Sequence, residues 1–474
     1  MISTIKALLK KIGIDKAIAY SSGARIVQAF TGVGSIFFIS TFLSGVEQGF
    51  YYTFGSIVAI QVFFELGLTG IITQFVAHEA AHLQLDASCK YLGEEQHKSR
   101  LASLLHFCVK WYVILSLIVL LVLLIVGFVF FNSYSNEENS ASWELPWILL
   151  CVATAIKLLQ SPFNSFIMGI GKVKEMSKIS FYQQIILPLS AWLGLVCGLK
   201  LYVVGISAIL SVCIWNIYVF RTDIWKILKN LWKETISERV LYFKEIFPYQ
   251  WRIALSWASG YFIFQLFNPV LFATEGAKVA GQMGMTLQAL NAIQAFAMSW
   301  MNTKVPLYSG MISLKEYEKL DKLFNKTLWQ MSSICLCLLA TMYGFIEILR
   351  ITEFKINTTI IADRFLDNWP MFFMMIPVMA NQFVFSWATY LRCHKKEPFL
   401  IQSIVMGLLC GVSTIGMGHL YGVYGITISY ACLCIGIGTP WAYWIFRTKK
   451  ERMAWKIRNL FYQFAFRQET VRMS

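Results

Sequence analysis

The chain has 474 residues, of which 57% are hydrophobic and 14% charged, and its net charge is +15. The 37 Phe, 21 Tyr and 16 Trp residues exceed what a soluble core of this size can bury. This composition excludes an ordinary soluble protein and predicts that lipid surrounds most of the chain.

The N-terminal segment, 1–17, predicts a short helix lying on the membrane surface. Its apolar side chains share one helical face, with four lysines around them: Ile2, Ile5, Leu8, Leu9 and Ile12. The apolar run that follows is too long for the core of a signal peptide and lacks a small-residue cleavage pattern. This segment is therefore predicted to anchor the chain at the interface.

Twelve apolar runs are long enough to cross a bilayer as helices. They cover about 18–43, 50–77, 107–131, 145–169, 179–199, 202–220, 252–273, 279–309, 327–349, 366–391, 399–419 and 423–446. The predicted fold class is all-α, a polytopic membrane protein of twelve transmembrane helices.

Lys and Arg are distributed asymmetrically between the two sides of the predicted bundle. The termini and even-numbered loops hold 34 of the 41 basic residues. Because basic loops are retained in the cytoplasm, both termini are predicted to be cytoplasmic. This sidedness explains the net charge, so no nucleic-acid partner is expected.

Two matched landmarks indicate an internal repeat. Trp215-Asn216-Ile217-Tyr218-Val219-Phe220-Arg221-Thr222 is matched late in the chain by Trp441-Ala442-Tyr443-Trp444-Ile445-Phe446-Arg447-Thr448, and Gln160-x-x-Phe163 is matched at a similar offset by Gln382-x-x-Phe385. The repeat predicts two pseudo-symmetric six-helix halves, 18–220 and 252–446, around a central cavity. A duplicated half in a membrane protein favours a transporter whose pathway runs between the halves.

Two basic amphipathic segments follow the halves on the predicted cytoplasmic side. The linker, 221–251, places Ile224, Ile227, Leu228 and Leu231 on one face of a surface helix. The tail, 447–474, repeats this arrangement with Ile457, Leu460, Phe461 and Phe464. We expect the linker to tether two moving halves and both segments to meet anionic headgroups.

Ionisable and polar residues inside the spans are the candidate functional residues, because a charge at membrane depth is costly unless it faces protein or water. The substrate-binding candidates are Arg25, Gln28, Lys157, Asn164, Gln288 and Asn291. Glu65 is a candidate for ion coupling, although it could instead be the structural partner of Arg25 or Lys157. The amides could equally be contacts between helices. Two cations against one carboxylate favour an anionic ligand.

No soluble enzyme signature occurs in the chain. It contains no phosphate-binding loop with Lys, no HExxH and no GxSxG. Cys335-x-Cys337 and Cys432-x-Cys434 point in different directions on a helix and lack nearby His or carboxylate, so neither metal nor other cofactor is predicted. The protein is therefore predicted not to be an enzyme.

Several segments resemble the polysaccharide biosynthesis family that flips lipid-linked oligosaccharides, the O-antigen flippase branch of the multidrug/oligosaccharidyl-lipid/polysaccharide exporter superfamily. They are Phe64-Glu65-Leu66-Gly67-Leu68-Thr69-Gly70, Gly169-Ile170-Gly171-Lys172 and Lys315-Glu316-Tyr317-Glu318-Lys319 after Pro306. The resemblance covers nearly the whole chain. It implies two six-helix halves around a central cavity in the bacterial inner membrane.

The resemblance also implies a substrate and partners. The substrate would be an oligosaccharide on polyprenyl pyrophosphate, moved from the inner to the outer leaflet, with Arg25 and Lys157 placed to hold the pyrophosphate. Membrane lipid and a polysaccharide polymerase or other assembly proteins would be the partners. The second half departs from symmetry, since Met379 stands at the position equivalent to Lys157.

Three other functions remain open. A cation-coupled multidrug exporter of the same superfamily shares the twelve spans, but such exporters usually depend on carboxylates in the first or seventh span, and neither core contains Asp or Glu. A membrane polymerase or glycosyltransferase would need a large outer loop, and the predicted outer loops are short. A scaffolding protein would not explain ionisable residues within the spans.

Overall fold

The computed structural model describes residues 27, 31–65, 67–134, 141–356, 359–394 and 398–451. The predicted N-terminal surface helix, Arg25, Gln28 and the tail beyond residue 451 lie outside these described residues.

Long helices dominate the first half of the chain. They are α1 (Thr31–Phe42), α2 (Gly45–Val58), α3 (Val62–Glu65), α4 (Leu68–Ala80), α5 (Glu95–Tyr134), α6 (Glu144–Gly169), α7 (Val173–Val196) and α8 (Tyr202–Arg221). A 3-10 turn, Ala59–Gln61, joins α2 to α3. In α2 the Ser44 hydroxyl accepts a hydrogen bond from the Glu47 amide, and the Glu47 carboxylate accepts one from the Ser44 amide. This reciprocal capping fixes where the helix begins.

The linker and the second half continue the helical pattern. Their helices are α9 (Asp223–Trp232), α10 (Tyr242–Glu245), α11 (Phe247–Phe264), α12 (Phe267–Glu275), α13 (Ala277–Ser313), α14 (Tyr317–Ile351), α15 (Asn368–Cys393) and α16 (Leu400–Leu433), followed by a π-helical segment, Cys434–Gly438, and α17 (439–451). Gly422 breaks α16 with φ 54° and ψ −136°, so α16 contains the predicted eleventh span and the start of the twelfth.

Each predicted span coincides with helix in the described residues, and the all-α polytopic fold is confirmed. Seven of these helices are long and apolar enough to cross a membrane, or eight when the bent pair Gly45–Glu65 and Leu68–Ala80 is one span. The described part of the first span is short, the seventh is divided between α11 and α12, and the eighth, α13, is less apolar. Backbone groups in lipid must find partners within the segment, which is why apolar runs fold as helices.

Two small antiparallel sheets were not predicted. β1 (Leu83–Leu85) pairs with β2 (Tyr91–Gly93), with Leu83 opposite Gly93. β3 (Lys355–Ile356) pairs with β4 (Thr359–Ile360), and a 3-10 turn, Ile361–Arg364, follows. Both hairpins lie in loops between spans, where no long apolar run forces a helix.

The predicted linker helix is present as α9, but its apolar face does not meet lipid. Ile224, Ile227, Leu228 and Leu231 are at most 3% exposed, because α9 packs against α5 and α8. The Asn230 amide donates to the Cys89 carbonyl at 2.9 Å, and the His106 ring lies 3.8 Å from the Trp232 ring. The linker is therefore docked on the first half at this point.

The chain divides into two compact units. The first contains the described residues up to Ala289 together with Glu353–Leu366, and the second contains Leu290–Thr352 with the described residues from Asp367 onward. The first unit has a core of aromatic side chains in which Phe50, Phe54, Phe131, Trp147 and Phe272 are fully buried. In the second unit, Phe324 packs against Tyr390 with ring centroids 4.8 Å apart.

Candidate transport site

The second span is broken in the middle of its apolar run. α3 ends at Glu65, Gly67 has a φ of 65°, and α4 begins at Leu68 with a bend of 44°. A left-handed backbone is easy for glycine, which explains why the break falls there. Broken helices at membrane depth are a common way to present polar groups to a transport pathway.

Glu65, at this break, is surrounded by hydroxyl groups. The Ser161 hydroxyl on α6 donates to Glu65 Oε1 at 2.9 Å, and the Thr69 hydroxyl on α4 donates to the same oxygen. Tyr112 of α5 adjoins both hydroxyls, and its phenol oxygen is fully buried. These four side chains form the hydroxyl cluster of the first unit, and Glu65 has no basic partner among the described residues.

Lys157 lies one helical turn before Ser161 on the same face of α6. Its side chain is exposed. No carboxylate in the described part of the chain lies within ion-pair distance of Lys157. It is therefore not the partner of Glu65, and its charge is available to a ligand.

The candidate amides differ in their surroundings. Asn164 Oδ1 accepts a hydrogen bond from the Trp215 indole at 2.6 Å. Gln288 Oε1 accepts from the Tyr52 phenol at 2.7 Å, while Gln288 Nε2 donates to the Gly32 carbonyl at 2.9 Å. Both amides thus link helices, which was the alternative interpretation of these residues. Asn291 is exposed.

The polar residues of the first span lie only partly within the described structure. The Gly32 carbonyl accepts a hydrogen bond from Gln288, and the Ser35 hydroxyl accepts one from the Trp192 indole at 3.0 Å. These two residues therefore face other helices. Arg25 and Gln28 lie outside the described residues, so their roles stay predictions.

The structure reveals a charged network that sequence reasoning missed. Glu79, near the C-terminal end of α4 and beyond the predicted second span, is 4% exposed. Its carboxylate accepts a hydrogen bond from Arg100 Nε at 2.8 Å and pairs with His97 Nδ1 at 2.7 Å. Arg100 also reaches Glu245 in the linker at 2.6 Å. The stacked rings of His82 and His97 have centroids 4.2 Å apart.

The network perturbs the pKa values of its members. Burial alone would raise the pKa of Glu79, but hydrogen bonds and charge from Arg100 and His97 outweigh it and lower that pKa. The pKa of Glu245 is lowered in the same way, against burial, by its bonds to the Leu241 amide and Arg100. A signal existed in the sequence: His97 and Arg100 are three residues apart, on one helical face.

No grouping of three or more His, Cys, Asp or Glu side chains suited to a metal ion occurs in the described ranges. On α6, Lys157 lies one turn from Ser161, whose hydroxyl donates to the Glu65 carboxylate.

Comparison with known proteins identifies the fold. No protein-family model matches the chain, and no curated protein matches its sequence. Among solved structures, the fold resembles that of an inward-facing multidrug resistance transporter of the MATE family in the MOP superfamily, with a TM-score of 0.57. The two sequences are 12% identical, and the match covers 89% of this chain and 99% of the transporter chain.

Two further structures agree. A mutant of the Vibrio cholerae MATE transporter VcmN is 14% identical over 95% of this chain and 98% of its own, with a TM-score of 0.53. A MOP superfamily transporter from Pyrococcus furiosus, described by the reverse polarity of its binding pocket, is 13% identical over 92% of this chain and 96% of its own, with a TM-score of 0.50. The chain therefore has the fold of MATE family transporters of the MOP superfamily, a multi-pass membrane fold.

Proposed function

We propose that this protein is an alternating-access transporter whose substrate carries negative charge. The observation that supports the charge is Lys157, an exposed cation inside a span without a partner among the described residues. Keeping such a charge at membrane depth is costly, so it is retained where a ligand or water meets it. A lysine ammonium can bind a phosphate group as a point charge.

Within this class, we propose a polyprenyl-pyrophosphate-linked oligosaccharide, an O-antigen, capsule or exopolysaccharide repeat unit, moved from the inner to the outer leaflet. Lys157, with Arg25, would hold the pyrophosphate, while exposed amides such as Asn291 would meet sugar hydroxyls. The prenyl chain would stay in lipid. The MOP superfamily transporter from Pyrococcus furiosus, which shares this fold, is described as having a binding pocket of reverse polarity that suggests a different function.

The second candidate is cation-coupled multidrug export, and the names of the structural neighbours favour it over oligosaccharide flipping. Glu65 is the carboxylate that could serve this function. It lies at a helix break among three hydroxyls, an all-oxygen environment of the kind that suits a proton or a hard cation. Glu65 is proposed as the coupling residue in either case.

The experiment that separates the two candidates replaces Lys157. We expect Lys157→Gln to cause inward-facing lipid-linked oligosaccharide to accumulate in cells, while Lys174→Gln, in a predicted cytoplasmic loop, serves as the matched control and leaves translocation unchanged. Wild-type translocation by Lys157→Gln would contradict the phosphate contact. Efflux of a cationic dye that depends on this protein, without any glycan defect on its deletion, would establish drug export instead.

Coupling is tested by removing the charge of Glu65. We expect Glu65→Gln to transport without responding to an imposed proton or sodium gradient, whereas Glu144→Gln, an exposed residue at the start of α6, keeps the wild-type response. A gradient response that is unchanged in Glu65→Gln would rule out the carboxylate as the coupling group.

A further inference from the structure

Two helices cross at backbone contact within the first unit. A Cβ atom on Gly49 of α2 would lie 1.9 Å from the carbonyl oxygen of Ala277 on α13, and one on Gly281 would lie 2.8 Å from the Gly49 amide nitrogen. One turn further along, a Cβ on Gly284 would lie 2.2 Å from Cγ of Tyr52. Only glycine permits this approach, so the crossing depends on the three glycines.

Polar side chains tie the same crossing together. The Gln48 amide, 1% exposed, donates to the Gly281 carbonyl at 2.8 Å and to the Arg364 carbonyl at 3.0 Å. Arg364 in turn donates to the Leu43 carbonyl at 2.6 Å. Asn268 of α12 donates to the Ser56 hydroxyl at 3.2 Å. Hydrogen bonds therefore connect these segments in addition to aromatic contacts such as that between Phe50 and Phe272, whose ring centroids are 4.9 Å apart.

The crossing also contains buried polar atoms without a hydrogen-bond partner in the described structure. They are Gln48 Oε1, Thr53 Oγ1, Asn268 Oδ1 and one terminal nitrogen of Arg364. A buried polar group without a partner destabilises the arrangement that buries it. Water entering between the helices would satisfy all four, so hydration favours separation.

The distribution of Lys and Arg predicts that this crossing lies on the outer side of the membrane. Four predicted outer loops contribute to it: residues 44–49, the loop holding Gly276, the turn Ile361–Arg364, and Lys200, whose ammonium lies 3.0 Å from Glu47. Residues 44–49 precede the second span, in the first predicted half. Gly276 lies between the seventh and eighth spans, in the second predicted half.

We propose that this crossing is the outer gate of the transporter, closed in the present structure and poised to open by hydration of the polar atoms it buries. Alternating access requires an outer contact between the halves that forms and breaks in every cycle. The backbone approach at Gly49 and Gly281 leaves no room for water between the helices when the crossing is closed. The inference rests on the alternating-access part of the proposed function and is independent of the substrate.

The gate is tested by forcing it apart and measuring the access of a buried position. Thr53, fully buried next to the crossing, is replaced by cysteine, and its reaction with a maleimide is followed in purified protein by peptide-resolved mass spectrometry, which separates it from the 11 native cysteines. We expect Gly49→Ala to raise the labelling rate about tenfold or more, because overpacking favours the open form. Gly55→Ala is the matched control on the same helix, since a Cβ there meets nothing within 4 Å.

A disulfide lock gives a second, independent measurement. A Cβ on Gly45 would lie 3.5 Å from Cγ of Lys278, so cysteines at these two positions are close enough to pair. We expect oxidation of the Gly45→Cys/Lys278→Cys pair to suppress labelling at position 53 and reduction to restore it. The lock does not require Gly49→Ala to fold.

Both measurements have outcomes that overturn the gate. Equal labelling in Gly49→Ala and Gly55→Ala, or labelling at position 53 that oxidation of the lock does not change, would show that the crossing is a permanent contact. Because labelling needs no substrate, that failure would leave the anionic-substrate proposal standing. Conversely, wild-type translocation by Lys157→Gln would leave the gate standing.

Discussion

Glu79→Gln is expected to destabilise the protein more than the loss of any other carboxylate in the network that Glu79 forms with His97, Arg100 and Glu245. The change keeps the shape of the side chain and removes its charge. Glu79 has a side chain 5% exposed, and it accepts from Arg100 at 2.8 Å and pairs with His97 at 2.7 Å. A hydrogen bond to a charged group contributes about 1.5–3 kcal/mol, so we expect a loss of about 2 kcal/mol.

A graded set of variants makes the expectation sharp. Glu245→Gln should cost below about 1 kcal/mol, because Glu245 is 29% exposed and Arg100 keeps its contact with Glu79. Glu451→Gln should cause no measurable change, because it breaks only an exposed pair with Arg447. The two side chains are 65% and 67% exposed. The order of the three costs follows from the burial of each pair and from the contacts that remain after each change.

The assay is unfolding of purified protein in detergent micelles, by denaturant titration and by Tm. The pH dependence has a definite sign. The pKa of Glu79 is lower in the folded protein than its ordinary value of 4.5. The ionised Glu79 therefore contributes fully to the free energy of unfolding above pH 4.5. This contribution is lost as the pH falls through the lower pKa of the folded protein. Equal stability of Glu79→Gln and Glu451→Gln at neutral pH would refute the reasoning.

Two further predictions concern packing and the linker. Gly127→Ala should lower the free energy of unfolding by about 1–3 kcal/mol, because the new Cβ would lie 2.1 Å from the Trp147 indole nitrogen. The control in the same unfolding assay is Gly344→Ala, since a Cβ there meets nothing within 4 Å. Ser99→Ala should speed proteolysis of residues 233–241, because the Ser99 hydroxyl accepts from two linker amides at 2.7 and 2.8 Å. Ser190→Ala, at a half-buried serine outside the linker, should not change this cleavage. Equal cleavage of the two variants would contradict a fastened linker.

Several features of this protein follow from the sequence by itself. Long apolar runs must fold as helices in lipid, because every backbone amide and carbonyl needs a partner within its own segment. The helical state of the spans and the all-α fold are therefore local properties.

The candidate site could be predicted only in part. The sequence identifies Glu65 and Lys157 as costly charges in apolar runs, and both lie on described helices. It does not identify their partners. The Ser161 contact to Glu65 joins side chains on two different helices, and no periodicity within one helix specifies a neighbour on another.

The tertiary structure decided which polar groups meet. Lys157 and Glu65 do not pair, although their opposite charges made a pair a reasonable expectation. Ile227 and Leu228 of the linker lie against protein instead of lipid, because an apolar helical face is satisfied equally well by either. The approach of Gly49 to Ala277 likewise depends on two helices from distant parts of the sequence arriving at one point. Sequence sets the local state of each segment, whereas contacts between segments are decided by packing of the whole fold.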